Sequence, residues 1–197
     1  MLKLYWTPKT RAIRALWMLE ETGVPFERVL IDIRDPKSKS DAAFRAASPL
    51  GKVPALEDGA VRINDSGAIC AYLADAYPQA GLAPRIGDPL RGAYLQWLMF
   101  TNSNIEPAMA ERFSKLTPNR VAHGWGDYDS VLATLRNALQ AGPWILGERF
   151  CAADVMLGSA VYFLDMFKIL AEEPALSAYL ARCMARPAAQ RAFAAQA

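Results

Sequence analysis

Alternation opens the chain. Leu2-Lys3-Leu4-Tyr5-Trp6 sets apolar and polar positions at period two, which predicts a strand. Thr7-Pro8-Lys9-Thr10 breaks it, and from Arg11 the period becomes helical, with Ala12, Ala15, Leu16 and Leu19 on one face. Gly23 reads as the residue just past that helix and Pro25 as its stop. Residues 26–33 (FERVLIDI) alternate again and predict a second strand. The polar run 34–40 reads as a loop, 41–47 as a short helix, and Ser48-Pro49-Leu50-Gly51 as its exit. Two apolar runs follow, Val53-Pro54-Ala55-Leu56 and Ala60-Val61-Arg62-Ile63, joined by Glu57-Asp58-Gly59. Asp-Gly between such runs predicts a hairpin. A helical pattern from Gly67 to about Ala76 then stops at Tyr77-Pro78.

The order is β-α-β-α-β-β-α. Parallel strands need a crossover, so the first two strands and the helix between them form a βαβ unit, and the hairpin extends the sheet antiparallel. That arrangement resembles a thioredoxin-like fold, in which a cis-proline opens the third strand. Residues 79–87 are rich in Gly and Pro and read as a linker. Beyond it only helices are predicted: 90–99 and on to a break near Glu106-Pro107, 108–116, 128–141, a strongly apolar helix over 153–170, 175–185 and a last short one. The expectation is an α/β thioredoxin-like N-terminal domain over 1–78 and an all-α C-terminal helical domain over 88–197.

Composition narrows the function. Apolar residues make up 53% and charged residues 21% of 197, which suits one or two domains with a buried core. A net charge of +2 with scattered basic residues leaves no footprint for nucleic acid. No apolar run approaches the roughly 20 residues of a membrane helix, and the apolar start of the chain is too short for a signal peptide. The three cysteines, Cys70, Cys151 and Cys183, are widely spaced with no CxxC, against a disulfide framework or a zinc site and in keeping with a reducing cytoplasm. The one histidine, His123, cannot anchor a metal cluster and reads as a loop residue. No metal, membrane or nucleic-acid partner is expected, and the location is cytoplasmic.

The chemistry concentrates at 49–66. Proline cannot donate to a ladder, so Pro54 belongs at a strand's first residue, where a cis bond suits a tight turn. The N–H and C=O of Val53 can then face outward and pair with an extended peptide. Asp65-Ser66 precedes a helix whose first-turn N–H groups favour an anion. Plain helix capping is the other use of that pair.

At this point the chain is identified as resembling the cytosolic glutathione S-transferases end to end, as a bacterial-type member with a serine- or threonine-like active site. The resemblance is carried by LYWTPKTRAIRALWMLEETGVPFE, GKVPALEDGAVRINDSGAICAYLADAYP, ILGERFCAADVML and YLARCMARPAAQRAF. It implies a glutathione-binding domain, a helical domain lining a hydrophobic electrophile site, a homodimer and a detoxifying transferase reaction. Residue by residue, it implies that Val53, beside Pro54, pairs with the cysteinyl backbone of glutathione. Asp65 and Ser66 would hold the γ-glutamyl end, and Lys52 would face the glycyl carboxylate unless it is a solvated loop lysine.

The group that activates the thiol is less determined. Family members place Tyr, Ser or Cys after the first strand, and this chain offers neither Ser nor Cys there. Thr10 falls at or beside the serine position and could donate to the thiolate, or simply cap the helix. Arg11 could act by charge, and Tyr5 lies inside the strand, where packing is the alternative. Phe100, Met109, Phe113 and Trp125 are candidates for the electrophile pocket, or are core. Asp154 at N3 after Cys151 reads as a capping box. Two other functions share these residues: a glutathione-dependent disulfide reductase or peroxidase, and a non-catalytic glutathione-binding protein.

Overall fold

A strand buried on nearly every residue belongs in the middle of a sheet. In the computed structural model, which describes residues 1–170 and 173–195, β1 (Leu2–Trp6) is that strand, buried except at Lys3. β2 (Phe26–Leu30) pairs with it in parallel, β3 (Ala55–Asp58) antiparallel on its other side, and β4 (Val61–Asn64) outside β3. The crossover is α1 (Ala12–Thr22), closed by Gly23 at φ 69° with its N–H on the carbonyl of Leu19. An L-residue with a side chain would be strained at that angle, so the glycine there sets the helix end.

Two expectations change here. β2 ends at Leu30, short of Ile33, because Asp32 turns the chain by accepting from the N–H of Arg34 at 2.9 Å. The run 34–40 is not all loop: Asp35 caps Lys37 and Ser38, and Pro36 starts a four-residue helix, α2 (Pro36–Lys39). α3 (Ala42–Ala47), capped by Asp41, follows as expected. In the hairpin, Asp58 faces Val61, so the turn is Gly59-Ala60, with Gly59 at φ 59°. α4 (Ser66–Ala76) packs on α1.

By contacts the chain divides into Met1–Leu82 with Ala185–Ala197, and Ala83–Met184. The division falls inside the 79–87 linker. The terminal segment joins the first unit because α10 (Pro187–Ala194) packs on α1, where Arg186 grips Glu21 at 2.6 and 2.7 Å and Phe193 meets Trp17 edge-on.

In the second unit α5 (Arg91–Phe100) does not break at Glu106-Pro107. It runs through a π turn, Thr101–Ile105, into α6 (Glu106–Ser114). The wider π turn accommodates a proline that would otherwise clash with the preceding turn and leave a carbonyl unpaired. α7 (Tyr128–Ala138), α8 (Ala152–Met166) and α9 (Pro174–Met184) complete the unit. α8 is buried from Ala152 to Val161 without a gap, which marks it as central. It stops at Met166, before the expected Leu170, where the chain turns into the left-handed region at Lys168.

Candidate functional site

The sheet register decides which loops meet. Tyr5 faces Ala55, and Ala55 faces Asn64. The end of β1, the start of β3 and the end of β4 therefore share one edge. The segments continuing from them are 7–11, 52–54 and 65–66, which hold most of the residues singled out from the sequence. In α/β sheets, the crevice outside the carboxyl ends of parallel strands is where ligands bind.

The Val53–Pro54 bond is cis. Val53 packs half-buried on the cluster of Tyr5, Ile31, Phe44, Ala47 and Ala55. Its N–H and C=O lie before the ladder begins and take part in no backbone turn bond with a described residue. They are therefore positioned for an extended ligand to pair with. Lys52 is the opposite: the Ser48 hydroxyl donates to its carbonyl at 2.7 Å and accepts from its N–H at 2.9 Å. Gly51 sits between them at φ 63°, and a Cβ there would lie 2.3 Å from Nη1 of Arg45. The angle favours glycine, while the Arg45 side chain could swing away from a Cβ.

Beside Val53 opens a cavity of about 390 Å³ lined by Thr10, Arg11, Ile33, Lys39, Gly51, Lys52 and Val53. Three cations and no carboxylate line it, so it favours a ligand with anionic ends. Thr10, Arg11, Lys52 and Val53 are thus brought together. Lys39, Ser48 and Gly51 were missed. Lys39 arrives only because Asp35 winds 36–39 into a helix, and Ser48 was visible only as a turn residue.

The hydroxyl of Thr10 is already engaged. It donates to the carbonyl of Thr7 at 2.7 Å and accepts from the N–H of Ala12 at 3.2 Å, the local role of a helix-capping threonine. Tyr5 does not line the cavity. It is buried, its hydroxyl donates to Glu57 at 3.2 Å, and burial followed by the Glu57 charge holds its phenol above the usual range.

Asp65 caps α4: its Oδ1 accepts from the N–H groups of Gly67 and Ala68 at 2.8 and 3.1 Å, and its backbone sits at φ 76°. Two first-turn donors are therefore occupied by the protein's own carboxylate. Buried Ser66 makes no side-chain hydrogen bond to a described residue.

The four electrophile candidates have different immediate neighbours. Phe100 packs on Trp97, Phe113 meets Phe167 edge-on, Met109 is buried, and Trp125 stacks on His123 while donating to Glu111. Met109 and Phe113, four residues apart on α6, share one side of that helix, while Phe100 ends α5 before the π turn. Among the described residues no group of three or more His, Cys, Asp or Glu is placed to hold a metal. No described helix is long and apolar enough to cross a membrane.

Known proteins share this fold. Residues 10–76 match the family model for the glutathione S-transferase N-terminal domain, and residues 118–182 that for the C-terminal domain. A glutathione transferase from Methylococcus capsulatus superposes with a TM-score of 0.85 at 32% identity, covering 100% of this chain and 98% of that one. A sphingomonad glutathione S-transferase complexed with glutathione has a TM-score of 0.82 at 31% identity, over 98% of each chain. Disulfide-bond oxidoreductase YfcG of Escherichia coli K12 is 26% identical, over 98% of this chain and 94% of its own.

Proposed function

The chain belongs to the glutathione S-transferase family, and from that premise we propose that it binds glutathione at the sheet edge beside Val53 and conjugates it, through its thiolate sulfur, to a hydrophobic electrophile. The observation that carries this reading is the convergence of Thr10, Arg11, Lys52 and Val53 on one cavity next to the unused Val53 backbone. Glutathione's cysteinyl amide pairs with Val53. Its glycyl carboxylate meets Lys52, with Lys39 and Arg11 on the same cavity wall. The γ-glutamyl ammonium meets Asp65 and its carboxylate meets Ser66. The thiol loses its proton to solvent, and the thiolate attacks an electrophilic carbon whose leaving group departs with the bonding pair.

One observation favours a second reading: a relative of nearly full coverage is named a disulfide-bond oxidoreductase. With no cysteine in the loop after β1, such a reaction would use glutathione for both sulfurs. Calorimetry with glutathione, followed by assays with an aryl halide and with a mixed glutathione disulfide, separates the cases. Binding with conjugation of the aryl halide is the expected result. Disulfide reduction without conjugation would give the second reading, and binding without either activity a non-catalytic protein. No heat of binding would end the proposal.

Ser48→Ala tests the geometry apart from the chemistry. It deletes both bonds that fix the Lys52 backbone, without touching a group that meets the ligand. Glutathione affinity should fall about tenfold, the range of one or two lost hydrogen bonds. Affinity within twofold of wild type would remove Ser48 from the site's support.

A further inference from the structure

A second cavity, of about 400 Å³, adjoins the one beside Val53, and both lie wholly within the first unit. Ile33, Arg34, Pro36, Lys39, Ser40 and Arg45 line it, and Ile33 and Lys39 belong to both walls. Arg45 reaches the boundary as well, because its Nη1 lies against Gly51, which lines the first cavity. The local sequence builds this wall. β2 stops at Leu30, Asp35 and Pro36 wind α2, and that helix brings Lys39 to the same cavity as Ile33. α3 then presents Arg45 in its last turn.

The wall is cationic and without counter-ions. The side chains of Arg34, Lys39 and Arg45 make no ion pair with a described residue, and no carboxylate lines the cavity. The acids nearest in sequence are turned to the backbone. Asp32 accepts from the N–H of Arg34, Asp35 from those of Lys37 and Ser38, and Asp41 from that of Phe44. Like charges around one hollow repel each other and draw in an anion. Glutathione brings a single carboxylate to this end, where it meets Lys52, and its glycine has no side chain to send further. Ile33, 40% exposed and shared by the two cavities, is an apolar surface that suits methylene groups. A bare oxyanion would meet the cations and leave that surface wet.

We propose, resting on the glutathione reading, that the second cavity selects a γ-glutamyl-cysteinyl peptide whose third residue is acidic, with its side-chain carboxylate on Arg34, Lys39 and Arg45. The α-carboxylate of that residue stays at Lys52, and its methylene groups cross Ile33. Its side-chain carboxylate then meets two guanidinium groups, whose planar forks match it in charge and shape.

The test is calorimetry of the full chain with glutathione, γ-glutamyl-cysteinyl-glutamate and γ-glutamyl-cysteinyl-glutamine. The last two are matched in size, so the difference between them reads charge. The glutamate peptide should bind about fivefold tighter than the glutamine peptide, the range of one or two exposed ion pairs. At ~0.5 M salt, where exposed charges are screened, the advantage should shrink to within about twofold. Arg34→Gln combined with Arg45→Gln should abolish it likewise, with the glutamine peptide held within about twofold of its wild-type affinity. Both residues are exposed, so the double variant reads binding and not folding. Equal affinity of the two analogues, or an advantage that survives the double substitution, would overturn the acidic-residue site while glutathione's own heat of binding leaves the glutathione reading standing. No heat from any of the peptides would end both.

Discussion

Asp154→Ala is expected to lower the melting temperature by about 10 °C, the largest loss of stability from any single substitution considered for this chain. Asp154 is fully buried and accepts four hydrogen bonds. On Oδ1 it takes the N–H of Ile145 at 2.9 Å and the hydroxyl of Tyr179 at 2.8 Å. On Oδ2 it takes the N–H of Cys151 at 3.0 Å and the Cys151 thiol at 3.4 Å. It thereby ties the start of α8 to α9 and to the 142–151 segment before it. Burial pushes the Cys151 thiol up, which keeps it protonated and donating. Alanine would leave these donors buried without an acceptor. Each orphaned group costs about 1–3 kcal/mol, and partial entry of water brings the sum to ~4 kcal/mol. A chain of this size loses about 2–4 °C per kcal/mol. Tyr179→Phe removes one donor and leaves the other three, so it should cost about 1 kcal/mol. A melting temperature for Asp154→Ala within about 2 °C of wild type would show that this residue does not hold the α8 start.

The capping box at Asp154 was legible because both its members lie within three residues, and the same holds for most of what the sequence showed. β1, Gly23 at the end of α1, the hairpin and the α4 start are all local signals. Cys70 is fully buried, and burial raises its thiol to about 12. Features that depend on the folded chain were not legible. Ser48 looks like any turn serine until left-handed Gly51 brings Lys52 back over its hydroxyl. Arg14 was not singled out, and its 1% exposure follows from the packing of both α4 and α10 on α1. The π turn at 101–105 has no composition of its own, and an interior proline predicts a break more readily than a widened turn. The ring partners of Phe100, Phe113 and Trp125 were not legible for the same reason: aromatic spacing along a helix cannot say which neighbour each ring will meet.

Arg11→Gln should raise the pKa of glutathione's bound thiol by about 1–2 units and cut turnover at neutral pH about tenfold or more. A free thiol ionises near 8.5, so conjugation at pH 7 needs the bound value pulled down by a group that favours the anion. A guanidinium about 4 Å away supplies a few kcal/mol at the effective dielectric of a protein surface, and one pKa unit is about 1.4 kcal/mol. Arg11 lines the cavity and carries that charge. The Thr10 hydroxyl sits on the same wall, but its hydrogen is held by the carbonyl of Thr7, so turning it toward sulfur would sacrifice an existing bond. Thr10→Val should therefore move the thiol pKa by less than about 0.5 unit, while costing about 1 kcal/mol of stability through the lost cap. The thiolate absorbance of bound glutathione, followed from pH 5 to about 10, measures both variants. The sign is fixed by linkage: a raised pKa moves the acid limb of the rate profile to higher pH, and Arg11→Gln should approach wild type above about pH 9, where the thiol ionises unaided. A deficit that persists at alkaline pH would assign Arg11 to binding instead. If Thr10→Val raises the pKa and Arg11→Gln does not, the hydroxyl turns toward sulfur in the complex and the threonine is the donor. If neither moves it, activation falls to the backbone N–H groups at the α1 start, whose partial positive charge neither substitution removes.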